Sequence, residues 1–176
     1  MEYKEYEEKC NDTKLYSDEV AIGYVTLGLC GELGELYEKI SQEELGELGR
    51  KEIGDMLWYL AMMRRELDLS TIEKWPVAEE GLEIDPFALV VESGKIAEQV
   101  KKFMRDDWVS GQKNVFPEKR KEIVEKSWTS IVKMLFSLAK DEDAFNSSIE
   151  EIANENIEKL ASRKQRNVIH GSGDNR

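Results

Sequence analysis

Residues 27–36 read Leu-Gly-Leu-Cys-Gly-Glu-Leu-Gly-Glu-Leu, and residues 52–60 read Glu-Ile-Gly-Asp-Met-Leu-Trp-Tyr-Leu. Each stretch sets two acids three residues apart among apolar or small neighbours, so both carboxylates of a pair project from one side of a helix. The connection between the two stretches is short, which makes the two helices antiparallel neighbours. Four carboxylates are then predicted to converge: Glu32, Glu35, Glu52 and Asp55.

Helical periodicity continues outward from these stretches along most of the chain, and signals for β-strands are scarce. The three prolines, Pro76, Pro86 and Pro117, fall between periodic segments. The sequence therefore predicts an all-α helical bundle of about five main helices. The predicted helices cover a short segment 2–11, then 18–40, 50–67, 87–106, 118–140, and a last one from Ser147 or Ser148 to 164.

A faint internal repeat is visible in the alignment of residues 31–40 with 91–100 and of residues 51–55 with 121–125. Glu32 matches Glu92, whereas Lys95 stands where the first repeat has Glu35. We expect a single domain, 1–176, built from two related helical hairpins. Its predicted parts are a first repeat over 1–70 with the acidic motif intact, a degenerate second repeat over 86–164, and a basic, Gly-rich tail over 165–176.

The composition excludes several classes of protein. The chain has 176 residues and a net charge of −12, which disfavours binding to the phosphate backbone of a nucleic acid polymer. Two cysteines and one histidine, His170, rule out a structural zinc cluster and nearly exclude a di-iron bundle, which needs two Glu-x-x-His motifs. No apolar signal segment or membrane-length run is present, so we expect no membrane association and a cytoplasmic location.

Four converging carboxylates are hard oxygen ligands, which suit Mg²⁺ or Mn²⁺. Nearby, Gly28, Gly31 and Gly34 remove the side chains from one side of the first acidic helix. Either a second helix packs closely there, or the gap leaves room for a ligand beside the carboxylates. Of the tryptophans, Trp58 and Trp128 are predicted to be core residues, whereas Trp75 or Trp108 stands in a loop and is a candidate to stack on a base.

Glu32-x-x-Glu35, followed after sixteen residues by Glu52-x-x-Asp55, resembles the signature of the all-α nucleoside triphosphate pyrophosphohydrolases. That superfamily contains the MazG-like enzymes, the dimeric dUTPases and the dCTP pyrophosphatases. The resemblance implies a Mg²⁺-dependent enzyme that cleaves a (d)NTP between its α and β phosphates, giving a (d)NMP and pyrophosphate. It implies that the four acids are the metal ligands and catalytic residues, with Glu35 a candidate to orient the attacking water.

Residues 152–163 are similar to the final helix of the same family, which implies a role in substrate binding. Lys159 and Arg163 share one side of that helix and are expected to clamp the triphosphate, together with Arg166. Asn156 is expected to bind the sugar or the base. The alternative is that these cations only offset the dipole at the helix C-terminus.

Two further questions stay open in the sequence. The degenerate second repeat suggests a division of labour in which repeat one binds metal and repeat two supplies substrate contacts. The alternative is a non-catalytic nucleotide- or metal-binding module descended from the enzymes, and the four intact acids of the first repeat argue against it. The family resemblance implies a homodimer, and a duplicated chain also suits a monomeric pseudo-dimer.

Overall fold

All the regular secondary structure is helical in the computed structural model, which describes residues 1–42, 46–77, 85–109, 115–141 and 144–166. Within these ranges there are six helices and no strand, which confirms the predicted all-α class. Five helices are long and the first is short, as the periodicity predicts. The helices are α1 (Tyr3–Asn11), α2 (Ala21–Ser41), α3 (Glu47–Glu66), α4 (Pro86–Asp106), α5 (Glu118–Ala139) and α6 (Ile149–Gln165).

Local capping fixes where the later helices begin. Asp85 accepts a hydrogen bond from the Phe87 backbone N–H, and Pro86 occupies the first position of α4, where its missing N–H costs nothing. Ser148 and Glu151 form a capping box at the start of α6, in which each side chain accepts a hydrogen bond from the other's backbone N–H. The sequence predicted the second of these starts from its serines.

The start of α3 lies earlier than the sequence predicts. The predicted connection covered residues 41–49, but α3 already begins at Glu47. The Gly46 N–H donates to the Ala144 carbonyl at 2.9 Å, and the Phe145 ring lies so close to Gly49 that a Cβ there would sit 2.4 Å from ring atom Cε1. Residues 144 and 145, which are distant in sequence, therefore pack against the first turn of α3. The local sequence pattern around residues 46–49 cannot predict such a long-range contact.

Helix α3 is the centre of the bundle, because it contacts α1, α2, α5 and α6. Its apolar residues are buried on several sides, so α3 is enclosed rather than lying on the surface. Trp58 on α3 and Trp128 on α5 belong to the core, as predicted. Trp75 is also buried, and its Nε1–H donates to the Met1 carbonyl at 2.9 Å, so this ring is not available to a base.

The second hairpin, α4 with α5, packs against the first hairpin, α2 with α3. Helix α4 contacts α2, and α5 contacts α3. The end of α4 lies near the start of α2, where the Met104 Cε is 3.9 Å from the position of a Cβ on Gly23. The duplication inferred from the sequence stays a prediction.

Some predicted segments fall partly outside the described residues. These are the irregular segment after residue 77, the loop between residues 109 and 115, and the tail beyond Arg166, which holds His170 and both tail glycines. Among the described residues, no helix combines the length and the apolar character needed to cross a membrane.

Candidate functional site

Three of the four predicted metal ligands lie together between α2 and α3. Glu32 of α2 and Glu52 and Asp55 of α3 each offer a carboxylate oxygen, and these oxygens lie within 4.8 Å of one another. Glu52 is buried, and the other two are half-buried. We call these three residues the acidic cluster. Three oxygens at this separation are spaced to bind one divalent cation of the kind that prefers oxygen ligands.

The fourth predicted ligand, Glu35, lies outside this group and is exposed. It is one turn further along α2 than Glu32, on the solvent side. Its negative charge is still close enough to act on Glu32. Glu35 therefore stands at the edge of the cluster, in a position to contact water or a substrate rather than to share the same enclosed cation.

The acidic cluster is electrostatically strained. The pKa of Glu32 is raised to about 8, first by burial and then by the negative charges of Asp55, Glu35 and Glu52. The Lys159 ammonium opposes this effect and lowers the pKa of Glu32. Like charges held together away from water favour the neutral form of one member, and a bound cation reverses that preference.

Helix α6 supplies the partners of Asp55. The Lys159 Nζ donates to Asp55 Oδ2 at 2.6 Å, and the Asn156 Nδ2 donates to Asp55 Oδ1 at 2.8 Å. Asn156 is buried, and its Oδ1 accepts a hydrogen bond from the Tyr6 hydroxyl at 3.1 Å. Two of the predicted substrate-binding residues thus meet the acidic cluster directly, across more than 100 residues of sequence.

A glycine lets α6 come this close. A Cβ on Gly54 would lie 3.1 Å from the Asn156 Cβ and 3.2 Å from its Nδ2, so any side chain there would push α6 away from Asp55. Sequence reasoning missed both Gly54 and Tyr6. Gly54 lies inside the second acidic motif, next to Asp55, which is the signal that marks it. Tyr6 carries no comparable signal, because its role depends on how α1 docks.

Beside Glu32 and Asp55, a cavity of about 130 Å³ is lined by aromatic rings and by Arg163, and we call it the aromatic cavity. The rings of Tyr16 and Tyr24 are stacked with their centroids 4.7 Å apart, and Tyr24 and Tyr59 lie 6.0 Å apart. Burial raises the pKa of Tyr16 and of Tyr59, so both hydroxyls stay neutral hydrogen-bonding groups. Sequence reasoning missed Tyr24 and Tyr59, although Tyr59 lies one turn after Asp55 on the same side of α3.

The remaining predicted substrate contacts separate from one another. Arg163 is buried and reaches the aromatic cavity. Arg166 is exposed at the C-cap of α6. The rest of the predicted basic tail lies outside the described residues.

Both interpretations of the three glycines hold, at different positions. A Cβ on Gly28 would lie 2.1 Å from the Tyr59 ring, so this glycine serves close helix packing. At Gly31 and Gly34 no atom from another part of the described structure lies within 4 Å of the Cβ position, so that part of α2 is open there. The open part flanks Glu32 and Glu35.

The corresponding acids of the second hairpin are bonded within the protein. Glu92 accepts a hydrogen bond from the Lys95 ammonium at 2.6 Å, and Glu125 accepts one from the Ser70 backbone N–H at 2.6 Å. Burial alone would raise the pKa of both carboxyls, but these hydrogen bonds outweigh it and leave both pKa values lowered. Glu122 is exposed.

Comparisons with known proteins give one informative match. The chain is 35% identical over 97 residues to the Gene 37 protein of Mycobacterium phage L5, and the match covers 55% of this chain and 78% of the phage protein. No protein-family model matches the chain. No solved structure matches it either.

Proposed function

The chain belongs to the family of the Gene 37 protein of Mycobacterium phage L5, and from the geometry of its site we propose that it is a Mg²⁺-dependent nucleoside triphosphate pyrophosphohydrolase related to the MazG-like enzymes. It would convert a (d)NTP to a (d)NMP and pyrophosphate. The proposed role in the cell is control or sanitation of the nucleotide pool.

The observation that carries this proposal is the acidic cluster. One oxygen from each of three carboxylates lies within 4.8 Å of the others, and the pKa of Glu32 is raised to about 8. Charges grouped in this way are costly unless a cation compensates them. Glu32, Glu52 and Asp55 fit Mg²⁺, with Mn²⁺ as an alternative, because all three offer hard oxygen atoms. A bound cation of this kind supplies neutralisation of phosphate charge and a more acidic water molecule.

The protein's own groups have distinct tasks in this proposal. Glu35, exposed at the edge of the cluster, orients the attacking water and accepts its proton. The Lys159 Nζ donates to Asp55 Oδ2 at 2.6 Å. Where a cation shared the negative charge of Asp55, this ammonium would be free to donate to a phosphate oxygen of the substrate. Asn156 keeps Asp55 oriented, since its own amide oxygen is fixed by Tyr6.

The aromatic cavity supports a nucleotide as the substrate. Tyr16, Tyr24 and Tyr59 line a space that reaches both Glu32 and Asp55, and flat rings stack on a base. Arg163 lies in the same lining and adds a positive charge near the sugar and the α-phosphate. The preferred base and sugar are to be measured with a panel of nucleotides.

The test is a product assay on a panel of NTPs and dNTPs with Mg²⁺. We expect a monophosphate and pyrophosphate as the only products, and loss of both in Asp55→Asn. No turnover of any nucleotide, with Mg²⁺ and nucleotide still bound, would instead favour the second candidate function.

That second candidate is a non-catalytic nucleotide- or metal-binding module. One observation favours it, namely that Asn156 and Lys159 already engage both oxygens of Asp55. The charge of Asp55 is already balanced by these two protein donors, so the site can be stable without catalysing a reaction. The two candidates differ in turnover alone, so the product assay decides between them.

The assembly and the location of the protein stay predictions. A homodimer is expected from the resemblance, with a monomeric pseudo-dimer as the alternative. Light scattering on the purified chain measures its mass in solution and separates the two. We also propose a cytoplasmic location.

A further inference from the structure

A second cavity, of about 240 Å³, lies between α3 and α6. Its lining contains three cations (Arg50, Lys51, Lys159), two acids (Glu47, Glu155), and Gly54, Ile152 and Asn156. We call it the basic cavity. Cations outnumber acids in this lining by three to two, although the whole chain has a net charge of −12. The cavity adjoins the acidic cluster, because Lys159 and Asn156 are the two residues that bond Asp55.

The carboxylates that pair with Arg50 and Lys51 are both exposed. The Arg50 Nη1 donates to the Phe145 carbonyl at 3.3 Å, whereas its Nε is buried without a hydrogen-bond partner among the described residues and lies 3.6 Å from a carboxylate oxygen of Glu155. Lys51 pairs with Glu47 at 3.0 Å. The side chains of Glu155 and Glu47 are 56% and 73% exposed, so each can turn to water at little cost when an anion enters.

The second hairpin offers a direct comparison, because Arg120 and Lys121 occupy the matching positions before its own Glu-Ile pair. The Arg120 Nε donates to Asp107 at 3.0 Å. The Lys121 Nζ donates to the Asp68 carbonyl at 2.7 Å, and Lys121 is buried. Arg120 and Lys121 are thus held by structural bonds. Arg50 also bonds the Phe145 carbonyl and Lys51 pairs with Glu47, but both of these cations line a cavity.

We propose that the basic cavity binds the terminal phosphates of the substrate, and the pyrophosphate that leaves, with Arg50 and Lys51 selecting a triphosphate. This inference rests on the proposed function. The basic cavity, at about 240 Å³, is smaller than the ~300–1,000 Å³ typical of pockets for drug-sized ligands, which suits a group as small as pyrophosphate. The aromatic cavity contains Asp55 in its lining, so a nucleotide with its base there can extend its phosphates past Asp55 to Lys159 and into the basic cavity.

The experiment is calorimetric titration with inorganic pyrophosphate in the presence of Mg²⁺. The proteins are the wild type, Arg50→Gln, Lys51→Gln and the matched control Arg120→Gln, each checked by thermal melting. We expect the Kd to rise at least ~10-fold in the first two variants, the equivalent of about 1.4 kcal/mol, and to stay within about twofold in the control. An unchanged Kd in both variants, or no binding by the wild type, overturns the inference.

Nucleotide hydrolysis by the same proteins separates this inference from the proposed function. Pyrophosphate binding that depends on Arg50, with no nucleotide hydrolysed, would refute the proposed function and leave an anion site. Nucleotide hydrolysis together with a pyrophosphate Kd that is the same in the wild type, Arg50→Gln and Lys51→Gln would refute this inference but support the proposed function. If both hold, Arg50→Gln raises KM for the triphosphate at least ~10-fold and changes kcat much less.

Discussion

The two hairpins of this protein treat their acids in opposite ways. In the first hairpin the pKa of Glu32 is raised to about 8, mainly by burial and then by the neighbouring acids. In the second, Glu92 and Glu125 have lowered pKa values, because Lys95 and the Ser70 backbone donate hydrogen bonds to them. The first hairpin keeps three carboxylates close together, although Lys159 and Asn156 bond one of them, Asp55. In the second hairpin, Glu92 and Glu125 are each held by a hydrogen bond and belong to no such cluster among the described residues. The difference supports our proposal that the metal binds at the first hairpin.

The largest expected effect comes from Asp55 and its repeat counterpart Glu125. Asp55→Asn removes a charged ligand, and we expect kcat/KM to fall about 10³-fold, the equivalent of ~4 kcal/mol. Glu125→Gln replaces the charged acceptor of the Ser70 backbone N–H with a neutral one. It should lower the free energy of unfolding by about 1 kcal/mol and keep turnover within a few-fold of the wild type. Steady-state kinetics and urea unfolding measure the two quantities. Equal loss of turnover in both variants would contradict the comparison.

The next effect is on the pH dependence of stability. The folded pKa of Glu32 is about 8 against an ordinary value of 4.5, so the folded state holds a proton that the unfolded state has lost between those values. Without metal, the contribution of Glu32 should therefore decrease as pH rises from about 5 to 8, by at most ~1.4 kcal/mol per pH unit. Urea unfolding in chelator across this range measures it.

Glu32→Gln is the control for that slope, because it removes the titrating group and keeps the shape. The difference in stability between wild type and variant should shrink when Mg²⁺ is added at pH 8, since the cation stabilises the ionised wild type. A difference that is independent of both pH and Mg²⁺ would show that Glu32 is not part of a strained cluster.

Glycine substitutions sharpen the comparison by testing packing. Gly28→Ala places a methyl group against the Tyr59 ring and should lower the free energy of unfolding by about 1–3 kcal/mol. Gly94→Ala in α4 meets no atom of the other described segments within 4 Å and should raise the free energy of unfolding by up to ~1 kcal/mol through helix propensity. Thermal or urea unfolding compares them. Equal destabilisation by both would mean that α2 and α3 do not approach as closely as described.

The smallest effect is expected from the second hairpin's other acids. The double variant Glu92→Gln, Glu122→Gln breaks the ion pair between Lys95 and Glu92, whose side chains are 52% and 18% exposed, and changes no residue of the acidic cluster. Turnover should therefore stay within about twofold and the free energy of unfolding within ~1 kcal/mol. A loss of turnover as deep as that of Asp55→Asn would refute the proposed division of labour between the hairpins.

The sequence predicts the first hairpin well because its information is local. Acids three residues apart and a short connection are enough to bring Glu32, Glu52 and Asp55 together. The same spacing predicts Glu35 wrongly as a fourth member of the cluster. Glu35 lies one turn further along α2 than Glu32 and is exposed, and the spacing within a helix does not show where the neighbouring helix leaves a side chain uncovered.

The rest of the site depends on long-range docking, which spacing does not encode. The Asn156–Asp55 bond requires α6 to lie against Gly54, and the Tyr6 bond requires α1 to close on both. Lys159 and Arg163 were predicted from a family resemblance rather than from spacing. Nothing in the pattern distinguishes Arg50, which faces a cavity, from Arg120, which is bonded to Asp107.

The most direct test of the central claim is a product analysis of wild type, Glu52→Ala and Glu122→Ala side by side. Each is incubated with Mg²⁺ and the best nucleotide of the panel, and the products are resolved by chromatography. The account predicts monophosphate and pyrophosphate from the wild type and from Glu122→Ala, and no product from Glu52→Ala. Diphosphate and phosphate as products, or equal activity in Glu52→Ala and Glu122→Ala, would contradict it.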